Sequence, residues 1–430
     1  MPFASMTAIR SLLFVLYFAP SFSFSPFIPP LRSFQQSYYA SIAPALFAST
    51  DDGNADVQKD TDPLADMDQE RRENLYKCLL RDLQIEQVPL LEVDVDQLHT
   101  LQAAIWTIMA ELSENANAQR VCLVLEEIGV DALRVFENDF TDLKSESQLM
   151  EQLPELQRFN ISVVGKGVGP ALLVETGNAT MKSTQADTID YDESKVTAAM
   201  EKFVDRISAS TDLKGDAGPI IAYRYTGSSD LCLQMSGLWN CVCELMVASE
   251  DQLSSIMLIL PGLNGKKAPD SDGSQNCFAA IAELISRSLG MARSDENVEI
   301  QLYHPEYDRD LIHQKDKDDA LGHLLPTSML RPMLLREGYS VETNKPLGNE
   351  LRLAYNLQRR SPFPAILLKR RVRKGENDEI IKLEMEDGNV EKVSSRLSVY
   401  ARNAIKLAEV GQDKLQDSLQ TEIANGNSWQ

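Results

Sequence analysis

The chain has 430 residues and carries 42 Lys+Arg against 64 Asp+Glu, a net charge of −22, with 43% hydrophobic and 25% charged residues. That is long enough for two or three domains and too apolar for disorder throughout, and it excludes collagen-like and disulfide-scaffold chains. The acidity argues against a nucleic-acid partner, whose electrostatic footprint would be basic.

Residues 1–50 contain no Asp or Glu, only Arg10 and Arg32 as charges, and more than half of the chain's 14 Phe. Arg10 precedes an apolar run from Ser11 to Ala19, which has signal-peptide length and is too short to span a bilayer. Ser23-Phe24-Ser25-Pro26 follows, then an acid-free stretch rich in Ser, Pro and Phe as far as Thr50. The whole resembles the bipartite plastid presequence of diatoms and related algae, with Ser23 and Ser25 where Ala is usual. The resemblance implies a signal peptide over 1–23, a transit peptide over 24–50, and a stromal protein that no membrane holds after processing.

Secretion is the alternative, and the sequons at Asn160 and Asn178 are compatible with it. The six cysteines, however, have no disulfide-framework spacing and several fall on apolar faces, so they are expected as buried thiols in a reducing compartment.

Asp51 to Glu70 is an acidic, Asp-rich linker. A first α/β region over 75–180 opens with Leu98, Leu101, Ile105, Ile108 and Leu112 at helical spacing, with Asp94 or Asp96 as cap. Val121 to Leu125 is a short apolar strand. Ile161–Val164 and Ala171–Val174 flank Gly165-Lys166-Gly167-Val168-Gly169-Pro170, a turn whose spacing matches no phosphate-binding loop. The polar stretch 181–195 is the internal boundary.

From 196 to 410 the chain alternates between types. A helix carries Val196, Met200, Phe203 and Ile207; strands are expected at 219–225, 255–260, 298–303 and 365–368; helices at 231–246 and 277–289 lie between them. A charged hairpin is expected at 380–390, and a helix from Ser394 runs towards a tail at 411–430. The reading is an α+β fold, a mixed sheet with helices packed on one face, for which a ferredoxin-like sandwich is one arrangement. No internal repeat is visible in the sequence.

Chemistry-bearing residues gather in two places. His304-Pro305-Glu306-Tyr307-Asp308 closes a strand, and an extended continuation would put His304, Glu306 and Asp308 on one face, as an acid–base set. His313 and His323 lie further on, in a polar stretch, and no metal is assigned. Arg359, Arg360, Lys369, Arg370, Arg371, Arg373 and Lys374 form a basic cluster in an acidic chain; guanidinium groups there suit phosphate or carboxylate, with local salt bridges as the alternative. Cys241-Val242-Cys243 has neither zinc nor redox spacing.

His304-Pro305-Glu306-Tyr307, the acidic Asp318-Asp319, and Arg360-Ser361-Pro362-Phe363-Pro364 before an apolar strand resemble the bacterial domain of unknown function 1415 family, over residues 196–410. Arg359 stands where that family has Asn, and the family's cysteine motif has no match at Ser208-Ala209-Ser210 after Ile207. If that cysteine is a nucleophile or ligand in relatives, this chain has lost its role.

Two functions are expected from these residues. One is an enzyme or pseudo-enzyme binding a small anionic metabolite, with His304 for proton transfer, Glu306 or Asp308 to orient it, and Arg359, Arg360 and Ser361 on the ligand. The other is a non-catalytic scaffold or assembly factor acting through a protein partner. No cofactor is assigned.

Overall fold

The computed structural model describes residues 69–85, 88–93, 97–114, 119–125, 128–165, 169–177, 191–210, 221–263, 274–309, 322–340, 348–371, 380–385 and 388–426. The segments expected as presequence (1–50) and, nearly all of it, as acidic linker (51–70) lie outside the described residues, as do Asp94, Asp96, Asn178, His313, Asp318-Asp319, Arg373, Lys374 and the side chain of Cys277.

The elements in chain order are α1 (Gln69–Leu83), β1 (Leu90–Val93), α2 (Leu98–Glu114), β2 (Arg120–Leu125), α3 (Val130–Ser145), α4 (Ser147–Gln152), β3 (Phe159–Val164) and β4 (Ala171–Thr176). Then come α5 (Glu193–Ser210), β5 (Ile221–Tyr225), α6 (Leu231–Val247), β6 (Ser255–Ile259), α7 (Ser274–Met291) and β7 (Val298–Tyr303). The last are α8 (Thr327–Arg336), α9 (Asn349–Leu357), β8 (Ala365–Arg370), β9 (Ile380–Glu384), β10 (Val390–Ser394), α10 (Ser398–Val410) and α11 (Gln412–Gly426). The described residues make an α+β fold in two compact units, one formed by those up to 177 with 230–247 and 288–293, the other by those from 191 to 229 with 248–287 and 294–426.

In the first unit β1 runs parallel to β2, β2 antiparallel to β4, and β4 antiparallel to β3. Leu75, Leu79, Cys122, Val124, Ala171 and Leu173 pack together between α1 and this sheet. The expected apolar stripe on α2 is only part of what it buries, since His99, Thr100, Gln102 and Thr107 are buried too. The reason is α6, which lies along α2 in this unit: the hydroxyls of Thr107 and Ser236 are 2.9 Å apart, and the Cys243 thiol donates to the His99 carbonyl. Side chains this small let two helix backbones approach closely.

The second unit repeats this topology, although the sequence shows no repeat. β5 is parallel to β6, β6 antiparallel to β8, and β8 antiparallel to β7, and each sheet is built from the same succession of a leading helix, two βα units and two final strands. The correspondence reaches individual bonds. Leu125 N–H donates to the Pro170 carbonyl at 2.9 Å in the first sheet, and Leu260 N–H to the Pro364 carbonyl at 2.8 Å in the second. The difference lies in the last connection: residues 165–170 join β3 to β4, whereas residues 304–364 separate β7 from β8.

Helices pack on the second sheet as on the first. Met257, Ile259, Tyr303, Ala365 and Leu367 form one face and take Val196, Met200 and Phe203 of α5. The other face, with Ile256, Leu258, Leu302, Ile366 and Leu368, is as deeply buried. β6 is buried at every position, the mark of a central strand covered on both faces. β8 fills the gap between β6 and β7, so β6, α7 and β7 form a split βαβ unit, the feature shared with a ferredoxin-like sandwich. The ion pair of Arg206 with Glu422, 2.8 and 2.9 Å at its two contacts, ties α5 to α11.

Candidate functional site

Since β5, β6 and β7 all point one way and β8 the other, the last residues of three strands and the first of β8 meet at one end of the second sheet. Both sequence motifs lie on that edge, where open sheets place ligands. The segment after β6 is packed against the one after β5: a Cβ on Gly262 would sit 2.3 Å from the Ser228 carbonyl oxygen, so only glycine permits the approach. The Thr226 hydroxyl, 1% exposed, has no hydrogen-bond partner among the described residues.

His304 follows β7 directly. Pro305 does not let the strand continue; Tyr307 N–H donates to the His304 carbonyl at 3.1 Å and closes a turn. The expected common face of His304, Glu306 and Asp308 therefore does not form. Glu306 N–H donates to His304 Nδ1 at 3.1 Å, which fixes the proton of the neutral ring on Nε2. The imidazole is fully buried against the Phe278 ring, 5.3 Å between centroids, and burial pushes its pKa down to about 4. Such a ring donates a hydrogen bond and does not serve as a base, which argues against the proton-transfer role expected of it.

The second motif returns to the same place. His304 N–H donates to the Arg359 carbonyl at 3.0 Å, and Arg360 Nε to the Tyr307 carbonyl at 2.9 Å. Arg359 is itself interior, 3% exposed: Nη1 donates to Gln301 at 2.8 Å, and the guanidinium lies over the rings of Tyr303 and Tyr400, 4.9 and 5.9 Å from their centroids. It makes no ion pair with a carboxylate among the described residues. Its structure is that of a buried cation–π sandwich, and not of the ligand contact expected from sequence. The Ser361 hydroxyl, also fully buried, donates to the Phe363 carbonyl at 2.6 Å and so shapes the entry to β8.

Arg360 is different. It is half-buried, burial lowers its pKa while Asp308 and then Glu306 oppose that shift, and its terminal nitrogens have no partner among the described residues beyond what Nε takes. Glu306 is exposed and Asp308 half-buried.

A polar framework that sequence reasoning did not single out holds this turn. Asn356, at the end of α9, accepts from Arg309 N–H at 3.1 Å and donates to Asp308 Oδ1 at 3.2 Å. Arg309 Nε donates to the Leu324 carbonyl, and Leu324 N–H to the Tyr307 hydroxyl at 2.9 Å. The His323 ring stacks near Tyr307 and is buried neutral, its pKa pushed down to about 3 by burial, with Arg309 and Arg359 adding to the shift. The available signal was the helix Asn349–Leu357 itself, which ends three residues before Arg360 and buries Asn356.

Among the described residues no group of three or more His, Cys, Asp or Glu is placed to hold a metal, and no helix is long and apolar enough to cross a membrane. Cys78, Cys122, Cys232, Cys241 and Cys243 are buried and unbridged, and burial pushes the Cys122 and Cys243 thiols up to about 12. Compared with family models, with curated proteins and with solved structures, the chain matches none of them.

Proposed function

We propose that this chain binds a small anionic metabolite, a phosphate or carboxylate, at the carboxyl edge of its second sheet, as an enzyme or pseudo-enzyme of the plastid stroma. The observation that carries the reading is Arg360, a half-buried guanidinium whose Nε is anchored on Tyr307 and whose terminal nitrogens have no protein partner among the described residues. An anchored fork of this kind suits bidentate contact with an oxyanion. In this reading Arg360 takes the anion, His304 and Ser361 hold the two motifs in register, and Glu306 and Asp308 stand beside the ligand. The likeness to the domain of unknown function 1415 family rests on the same two motifs, and the stromal location on the acid-free presequence.

The test is thermal unfolding of the full chain with inorganic phosphate and with malonate. An anion present at a hundred times its Kd should stabilise by about 2.7 kcal/mol. The gain should vanish in Arg360→Ala; stabilisation that survives this substitution would place the site elsewhere.

A protein-partner role is favoured by one observation. Ile380 and Val390, 67% and 59% exposed, stand on the outward side of the β9–β10 ribbon, where Lys382 and Lys392 face each other across the strands. Like charges so placed disfavour the ribbon unless something offsets them. That reading predicts no stabilisation by either anion, the opposite of the first.

A further inference from the structure

The face of the second sheet that takes α5 changes character along its length. At the end away from the two motifs, Ser255 of β6, Lys369 of β8 and Glu299 of β7 form one cross-strand row, since Ser255 pairs with Lys369 and Lys369 with Glu299. Met257, Leu367 and Tyr303 lie two or four residues from them on the apolar part of that face, so all three side chains project to the same side. Arg370 N–H donates to the Ser254 carbonyl at 3.3 Å, which leaves Ser255 and Lys369 as a pair without ladder bonds of its own, their Cβ atoms about 5 Å apart.

The row is not closed by an ion pair. Glu299 leans on its own strand: Gln301 Nε2 donates to Glu299 Oε1 at 3.4 Å, while Gln301 Oε1 accepts from Arg359 Nη1 at 2.8 Å and from the Tyr303 hydroxyl at 3.1 Å. Lys369, half-buried, pairs with no carboxylate among the described residues, and the Ser255 hydroxyl, 1% exposed, has no hydrogen-bond partner among them. Buried hydroxyls are ordinarily satisfied, so an amine and a hydroxyl with unused bonding capacity side by side call for a reacting partner. Burial, with Arg359 adding to it and Glu299 opposing, lowers the Lys369 pKa, which raises the share of neutral, nucleophilic amine.

We propose that Lys369 is a nucleophilic lysine that condenses with a small uncharged aldehyde, Ser255 relaying the proton. The Nζ lone pair forms the C–N bond as the carbonyl π pair moves to oxygen; that oxygen takes the Ser255 proton, and Ser255 regains one from Nζ. The carbinolamine then loses its hydroxyl with the remaining Nζ proton, as water, to leave the imine. The Glu299 carboxylate beside Lys369 disfavours an anionic carbonyl compound, which decides for an uncharged one. The site lies at the opposite end of the sheet from Arg360 and does not depend on the anion reading.

Reductive labelling of the full chain tests this, with propionaldehyde and sodium cyanoborohydride, which converts the imine to a stable secondary amine, followed by peptide mass spectrometry. Lys369 should be labelled fivefold or more faster than the exposed Lys382 and Lys392, and urea should abolish that ratio. Glyoxylate, an anionic aldehyde, should give a smaller ratio. Ser255→Ala should slow labelling of Lys369 several-fold and leave Lys382 and Lys392 unchanged; the ratio in the unmutated chain stands as the test should that variant misfold. Labelling of Lys369 no faster than of Lys392 overturns the proposal, and an unchanged ratio in folded Ser255→Ala overturns the relay.

Discussion

The backbone N–H of His304 donates to the carbonyl of Arg359 at 3.0 Å, so residues far apart in the chain close the long connection between β7 and β8 at its base. In the first sheet the same connection is a turn, with Gly165 at φ 79° and Gly169 N–H bonded to the Gly165 carbonyl. The second half keeps the frame of the first and hangs its polar residues on the enlarged connection. Every residue of the two motifs is either part of that closure or projects from it.

Burial keeps two histidines of this connection neutral, which gives stability a definite pH dependence. The folded pKa values, about 4 for His304 and about 3 for His323, lie below the ordinary histidine value. The unfolded chain therefore binds more protons between about pH 6.5 and 4, and stability falls as pH falls through that range. Urea unfolding at pH 7.5 and pH 5 should differ by about 2 kcal/mol or more, and His304→Phe with His323→Phe should flatten the difference. Equal stability at the two pH values in the unmutated chain would contradict the burial account.

Arg206 and Glu422 form a largely buried pair, side chains 14% and 10% exposed. Removing one partner leaves a charge without its counterpart, so Glu422→Gln should cost about 3 kcal/mol. Replacing both by Met should cost much less. Chemical unfolding of the three variants measures this; a double variant as weak as the single one would show that packing, and not the charge, is what counts.

Gly262→Ala brings a methyl group within 2.3 Å of a backbone oxygen, where no side chain can yield. A loss of about 2 kcal/mol is expected, whereas Gly290→Ala, inside helix α7 with nothing within 4 Å of the added carbon, should gain up to about 1 kcal/mol from helix propensity. Thermal unfolding compares the two; no loss in Gly262→Ala would mean that the segments bearing Gly262 and Ser228 part readily.

Much of this fold is legible in the amino-acid pattern. Ser255 to Ile259 and Ala365 to Leu368 read as buried strands because they are apolar without alternation, and Val298 to Tyr303 keeps its bounds to the residue. The helices Val130–Ser145, Thr327–Arg336 and Asn349–Leu357 escaped notice: the last two are short and lie in a segment whose charges dominate its composition, and Pro332 interrupts one of them. The topological repeat is hidden because the two halves share strand order while their side chains differ, leaving Gly169-Pro170-Ala171 and Phe363-Pro364-Ala365 as a local trace.

At the site, the pairing of the two motifs is foreshadowed by their residue types, but their division of labour is not. Arg359 and Arg360 are neighbours of identical chemistry, and only the direction of the chain after α9 sends one between Tyr303 and Tyr400 and leaves the other at the edge. Likewise the turn at Pro305, rather than continued extension, decides that His304 is interior and Glu306 exposed.

Arg359→Lys should show how much that sandwich contributes. Lysine keeps the charge but cannot span Gln301 and both rings, so about 2 kcal/mol should be lost, read by chemical unfolding. Unchanged stability would mean that charge alone suffices there.

The most direct measurement is hydrogen–deuterium exchange of the full chain with and without saturating inorganic phosphate, in the unmutated protein and in Arg360→Ala. Added protection confined to 304–309 and 356–364, and absent from the variant, is the result expected if Arg360 holds an anion where the two motifs join. Protection elsewhere, or the same protection in the variant, would contradict that claim.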